Sequence, residues 1–83
     1  MSLKSLMDAE CISVGTKQTS KAVQEGRALT VFIAADAEER IAGELKGLCE
    51  ENLVPIEEVA SMAELGKACG IQVGSAAAAV IVE

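Results

Sequence analysis

Histidine, tryptophan and tyrosine are absent from this chain, and its only aromatic residue is Phe32. Without histidine, the side chain most often used as a general base near neutral pH is missing. A zinc site completed by imidazole is excluded for the same reason. With a single aromatic, the core must be aliphatic, built from Leu, Ile, Val and many alanines. Alanine suits helices packed closely on a sheet. Cysteine is scarce and unpaired in pattern: Cys11, Cys49 and Cys69 are odd in number, widely spaced, and form no Cys-x-x-Cys motif. They read as small buried hydrophobes in a reducing cytosol. No cofactor is expected. No long apolar run precedes a cleavage-like site, and Lys4, Asp8 and Glu10 interrupt the N-terminal residues. Neither a signal peptide nor a membrane span is expected, and the expected location is cytoplasmic.

Positive charge is also in short supply: 7 Lys and Arg stand against 13 Asp and Glu, a net charge of −6. That balance argues against a general polyanion binder, which is normally basic. The charge is uneven, however. Residues 1–27 carry Lys4, Lys17, Lys21 and Arg27 against Asp8, Glu10 and Glu25, whereas residues 28–83 carry only Arg40, Lys46 and Lys67 against ten acids. Any nucleic-acid surface must therefore be local and selective for shape. The length, 83 residues, fits one domain over 1–83 with a small core.

What is present centres on Val14-Gly15-Thr16-Lys17-Gln18-Thr19-Ser20-Lys21-Ala22-Val23. This stretch reads as the end of a strand, a turn at Gly15 and the first two turns of a helix. Thr16 is the expected N-cap, its hydroxyl accepting from a free amide of the first turn. Lys17, Gln18 and Lys21 can share one helix flank, while Thr19, Ala22 and Val23 share another that suits packing on a sheet. Free amides, two cations and an amide side chain at a helix start can grip phosphates and touch base edges. The same residues also fit an ordinary capped helix with solvated lysines.

Around this stretch, strands and helices alternate. Ser2 can cap a short helix with Leu3, Leu6 and Met7 on one side. Cys11 to Val14 forms a strand, and the helix from about Lys17 stops near Gly26. Leu29 to Ala35 reads as a buried strand. Asp36 and Glu39 have capping-box spacing before a helix striped with Ile41, Leu45, Leu48 and Cys49, which Asn52 ends. Pro55 to Val59 is a strand whose proline tolerates only an edge or a strand-start position, and Glu57 and Glu58 leave it partly exposed. Ser61 and Glu64 repeat the capping spacing before a helix with Met62, Leu65 and Cys69 on its apolar face, closed by Gly70. Ile71 to Ser75 is a loop. Ala76 to Val82, an unbroken apolar run, reads as a central strand covered on both sides. The alternation predicts an α/β fold, a three-layer α/β/α sandwich around a four-stranded mixed sheet.

No constellation for catalysis emerges, and the chain is expected not to be an enzyme. Glu38/Glu39, Glu50/Glu51 and Glu57/Glu58 are adjacent pairs whose side chains point apart, as on a solvated face. Gly15-Thr16-Lys17 lacks the upstream glycine and spacer of a nucleotide phosphate loop. Two loops stand out instead. If the strands before Gly15 and after Ser75 run antiparallel, both loops meet at one end of the sandwich. One then offers Lys17, Gln18 and Lys21, and the other offers Ile71 and Val73 beside Gly74. A polar grip beside an apolar perch suits a bent RNA with an extruded base. Ile71 and Val73 are equally compatible with the core.

Gly15 to Val23, together with Leu65-Gly66-Lys67-Ala68-Cys69-Gly70-Ile71-Gln72-Val73-Gly74-Ser75-Ala76-Ala77, resembles the kink-turn RNA-binding family of large-subunit ribosomal, box C/D and selenocysteine-insertion proteins. The short bacterial ribosomal-protein-like branch is most similar, and the likeness spans nearly the whole chain. The resemblance implies binding without catalysis to kink-turns, bent internal loops with tandem sheared G·A pairs. It implies that Lys17 and Gln18 face guanine edges, that Lys21 meets a base edge or phosphate, and that Gly15 and Thr16 let the backbone approach. It further implies that Ile71, Gln72, Val73, Gly74 and Ser75 cover the extruded nucleotides. The implied partners are structured RNA, ribosomal RNA included, and ribosomal proteins, with the chain itself a monomer. Many members have Asn and Glu where Lys17 and Gln18 stand here. The acidic residues of the third expected helix suggest an alternative, a protein-interaction module with little RNA affinity.

Overall fold

Short apolar runs separated by amphipathic stretches produce four strands and three helices in the computed structural model, which describes residues 11–82. In chain order these are β1 (Ile12–Val14), α1 (Thr16–Gln24), β2 (Ala28–Ala34), α2 (Glu39–Glu51), β3 (Ile56–Val59), α3 (Met62–Ala68) and β4 (Ala77–Ile81). The expected helix capped by Ser2 lies outside the described residues.

The sheet order is β1-β4-β2-β3. β4 runs antiparallel to both of its neighbours, and β2 runs parallel to β3. The alanine run therefore takes a central position, and its alternation serves both faces. Ala77 and Ala79 join Val23, Val31, Ile33, Leu45 and Cys49 under α1 and α2. Ala78 and Val80 join Phe32, Ala34, Val59 and Leu65 under α3. Small side chains on β4 let helices approach closely on each side, and the fold is the three-layer sandwich the alternation predicts. The larger fully buried side chains, Phe32, Leu45, Leu65, Val23 and Val31, each contribute roughly 1.5–3 kcal/mol of burial. β3 is an edge strand with Pro55 just before its start, and its exposed Glu58 discourages pairing with another chain.

Helix ends follow the sequence in part. α1 buries Thr19, Ala22 and Val23. It stops with the paired bonds of a Schellman turn, Gly26 N to Val23 O at 3.1 Å and Arg27 N to Ala22 O at 2.9 Å. Asn52 is the C-cap of α2. Ser61 Oγ accepts from Glu64 N at 3.1 Å, the expected cap of α3. Two expected caps are not formed. Thr16 is the first residue of α1 rather than its cap. Gly15 holds the cap position with φ +94° and ψ 157°, and no side chain closes the turn. That backbone region is open almost only to glycine, so the chain turns one residue earlier than hydroxyl capping suggests. Nor does Asp36 cap α2, whose N-cap is Glu38. Its carboxylate reaches across the sheet end to Met62 at the start of α3.

Candidate nucleic-acid interface

Because β1 and β4 are antiparallel, the carboxyl end of one lies beside the amino end of the other, with Val14 opposite Ala78. The condition on which the two loops would meet is therefore fulfilled. One atom joins them. The Ala77 carbonyl accepts from Gly15 N at 2.9 Å and from Ser75 Oγ at 2.7 Å. The carboxyl end of β2 arrives at the same place, where Ala34 N donates to Ala76 O at 2.9 Å, and so does that of β3, which runs parallel to β2. Four connections thus open at one end of the sheet: the β1–α1 turn, the β2–α2 loop, the β3–α3 connection and the α3–β4 loop.

On the first connection, Gly15 and Thr16 are half-buried, while Lys17, Gln18 and Lys21 are exposed. Neither lysine is ion-paired among the described residues, so both charges are available to a ligand. The first turn of α1 begins with Thr19 N donating to Gly15 O at 3.0 Å, leaving the amides of Thr16, Lys17 and Gln18 without intrahelical acceptors. Those amides carry the positive end of the helix dipole. Gln18 and Lys21 also line a shallow groove of about 150 Å³ with Ser13, Ala22, Glu25 and Arg27. Arg27 extends the cationic flank, where it pairs with Glu25 at 3.3 Å in water. Its position after the helix-stop glycine gave no functional signal in the sequence.

On the α3–β4 loop, Val73 is 70% exposed and Ile71 half-buried. Val73 is therefore a surface perch and not a core residue, while Ile71 lies between the two readings. Gln72 and Gly74 are exposed. Ser75 differs from its neighbours. It is buried, its hydroxyl donates to Ala77 O and its amide to Met62 O at 3.0 Å. Its side chain ties the two loops together instead of facing outward.

Neither Gly66 nor Asp36 carries a role at the interface in the sequence reading. Gly66 lies inside α3, is buried, and has the Val73 carbonyl where a side chain would start. A glycine in mid-helix carries a propensity cost, and that cost was the available signal. Asp36 gave only the local signal of helix capping.

The remaining reactive groups are muted. Burial pushes the Cys49 and Cys69 thiols up from their ordinary values, which disfavours the nucleophilic thiolate. Among the described residues no group of three His, Cys, Asp or Glu side chains could hold a metal ion. No described helix is long and apolar enough to cross a membrane.

An α/β/α sandwich with cations and free amides at the start of α1, whose Gly15 turn is bonded to a loop with an exposed apolar tip, defines the class of small mixed-sheet scaffold to which the chain belongs. The chain matches the family described as ribosomal protein L7Ae/L30e/S12e/Gadd45 over residues 1–83. It is 47% identical over 81 residues to an RNA-binding protein of Geobacillus sp. (strain WCH70), covering 98% of this chain and 99% of that one. To the RNA-binding protein YbxF of Geobacillus stearothermophilus it is 44% identical, with the same coverage, 98% and 99%. Among solved structures, the 15.5kD RNA binding protein of Giardia lamblia superimposes with a TM-score of 0.85 at 32% identity, covering 98% of this chain and 68% of that one. This chain belongs to the L7Ae/L30e/S12e/Gadd45 ribosomal protein family.

Proposed function

We propose that the chain is a non-catalytic RNA-binding protein that recognises kink-turns and stabilises their bend, acting on ribosomal RNA in the cytoplasm. The observation that carries this reading is the shared Ala77 carbonyl, which joins the Gly15 turn to the Ile71–Ser75 loop. It sets Lys17, Gln18 and Lys21 in the first turns of α1, the lysines without an ion pair among the described residues, beside the loop that bears exposed Val73. A cationic grip beside an apolar tip fits a sharply bent strand with an unstacked nucleotide better than a regular duplex. Relatives named as RNA-binding proteins support the same reading. The net charge of −6 repels nucleic acid at long range, so affinity must come from contacts at this one surface. Selection by shape follows.

A kink-turn oligonucleotide labelled at both ends tests the proposal. Micromolar protein should raise end-to-end energy transfer, and a duplex in which Watson–Crick pairs replace the G·A pairs should not respond. A folded protein that leaves the kink-turn extended contradicts the proposal. That outcome would favour a protein-docking role for the exposed glutamates of α2, Glu39, Glu44, Glu50 and Glu51, with Glu38 at its N-cap.

A further inference from the structure

We infer that Asp36 is a positioning residue whose carboxylate sets the Ile71–Ser75 loop for RNA through the first residue of α3. The inference rests on the proposed function and on an unbroken line of hydrogen bonds. Asp36 Oδ1 accepts from Met62 N at 2.7 Å. The carbonyl of the same residue, Met62, accepts from Ser75 N at 3.0 Å. Ser75 Oγ donates to Ala77 O at 2.7 Å, and Ala77 O takes Gly15 N at 2.9 Å. The line runs from the β2–α2 loop through the α3 terminus and the α3–β4 loop to the turn that carries Lys17. It joins three of the four connections at the binding end and passes through Met62, where the fourth, β3–α3, ends.

Met62 N lies in the first turn of α3, where no intrahelical acceptor exists. Ser61 Oγ takes Glu64 N, so the Met62 amide depends on Asp36, 26 residues away in sequence. Without that acceptor the first turn of α3 is free to fray, and Met62 O moves with it. Ser75 N then loses a fixed partner, and the exposed tip at Val73 loses its position over Gly66. A loop that must be ordered by the ligand binds more weakly than one already in place.

The sign of the effect separates this role from simple electrostatics. Asp36 is exposed at the end of the molecule where RNA would dock. A carboxylate acting only by charge would repel phosphates, and its removal would tighten binding. Positioning predicts the reverse. Asp36→Ala should weaken kink-turn binding about tenfold, the size of one lost terminal hydrogen bond of about 1.4 kcal/mol. Asp36→Asn, whose amide oxygen can accept the same bond, should bind at least as well as the unaltered protein. Asp36→Glu keeps the charge but displaces the acceptor, and should bind more weakly than the unaltered protein. It decides the matter if the alanine variant does not fold.

A second readout needs no RNA. Amide hydrogen exchange at Ser75 in the free protein should quicken several-fold in Asp36→Ala and stay unchanged in Asp36→Asn. Unchanged Ser75 protection in Asp36→Ala, or RNA binding as tight as that of the unaltered protein in Asp36→Ala or, where that variant does not fold, in Asp36→Glu, overturns the inference. Failure of the unaltered protein to bend the RNA overturns the proposed function and the purpose given to Asp36. Ser75 exchange distinguishes that failure from a failure of the coupling itself.

Discussion

Alanine at Lys17, Gln18 and Lys21 together is expected to weaken kink-turn binding by at least about a hundredfold, with the fold intact. All three side chains are exposed, and the flank of α1 that holds it to the sheet is a different one, Thr19, Ala22 and Val23. Exposed substitutions of this kind change stability by about 0.5 kcal/mol or less. Their effect on RNA is large because the chain has few cations to offer and, among the described residues, neither lysine is neutralised by an acid. Each directed contact to a base pair is worth about 1–3 kcal/mol, so three together come to at least about 3 kcal/mol, a hundredfold or more.

The single variants should differ in kind. Lys21→Ala should lower the slope of log affinity against log salt by about 0.7–0.9, the release of one phosphate's counterion. Gln18→Ala should leave that slope alone and reduce the preference for sheared G·A pairs over Watson–Crick pairs. Titrations at four salt concentrations measure both. Equal salt slopes for the three single variants and the unaltered protein would contradict a cationic grip.

Gly66→Ala should lower stability by about 1–3 kcal/mol, although helix propensity alone predicts a gain of about 1 kcal/mol. The new β-carbon would occupy the space of the Val73 carbonyl, with Gly74 and the rest of Val73 close behind. Those are backbone atoms and cannot rotate aside. Either α3 lifts from the sheet, exposing the flank of buried Leu65, or the Ile71–Ser75 loop moves outward. For a domain of this length, a loss of 1 kcal/mol lowers Tm by about 4–8 °C. Gly43→Ala in α2 is the control, because open space surrounds that position. It should raise Tm slightly. If both variants gain stability, α3 and the loop are not in contact as described.

Strand β4 was legible because an unbroken apolar run without a charge suits burial on both faces, and Pro55 marked the start of its strand without deciding whether that strand lay at an edge. The meeting of the two loops was legible only as a condition, since periodicity does not report whether strands run parallel or antiparallel. Misread features were those decided by tertiary partners. The spacing of Asp36 and Glu39 looks like a local cap, yet the acceptor serves an amide 26 residues further on. Thr16 has the right hydroxyl for a cap, but the conformation at Gly15, with φ +94°, takes that position. Ser75 reads as one more polar loop residue. Only the fold shows its hydroxyl turned inward to Ala77.

The central claim is that the Gly15 turn and the Ile71–Ser75 loop form one surface for one RNA. Adding an unlabelled kink-turn to the isotopically labelled protein, and following every backbone amide by NMR, tests it most directly. Large shifts should appear together, at one RNA per protein, in residues 15–21 and 71–74. Leu29 near the start of β2, Leu53 between α2 and β3, and Val82 just after β4, all at the opposite end of the sheet, should stay unchanged. Shifts confined to one loop, or centred on the glutamates of α2, would contradict it.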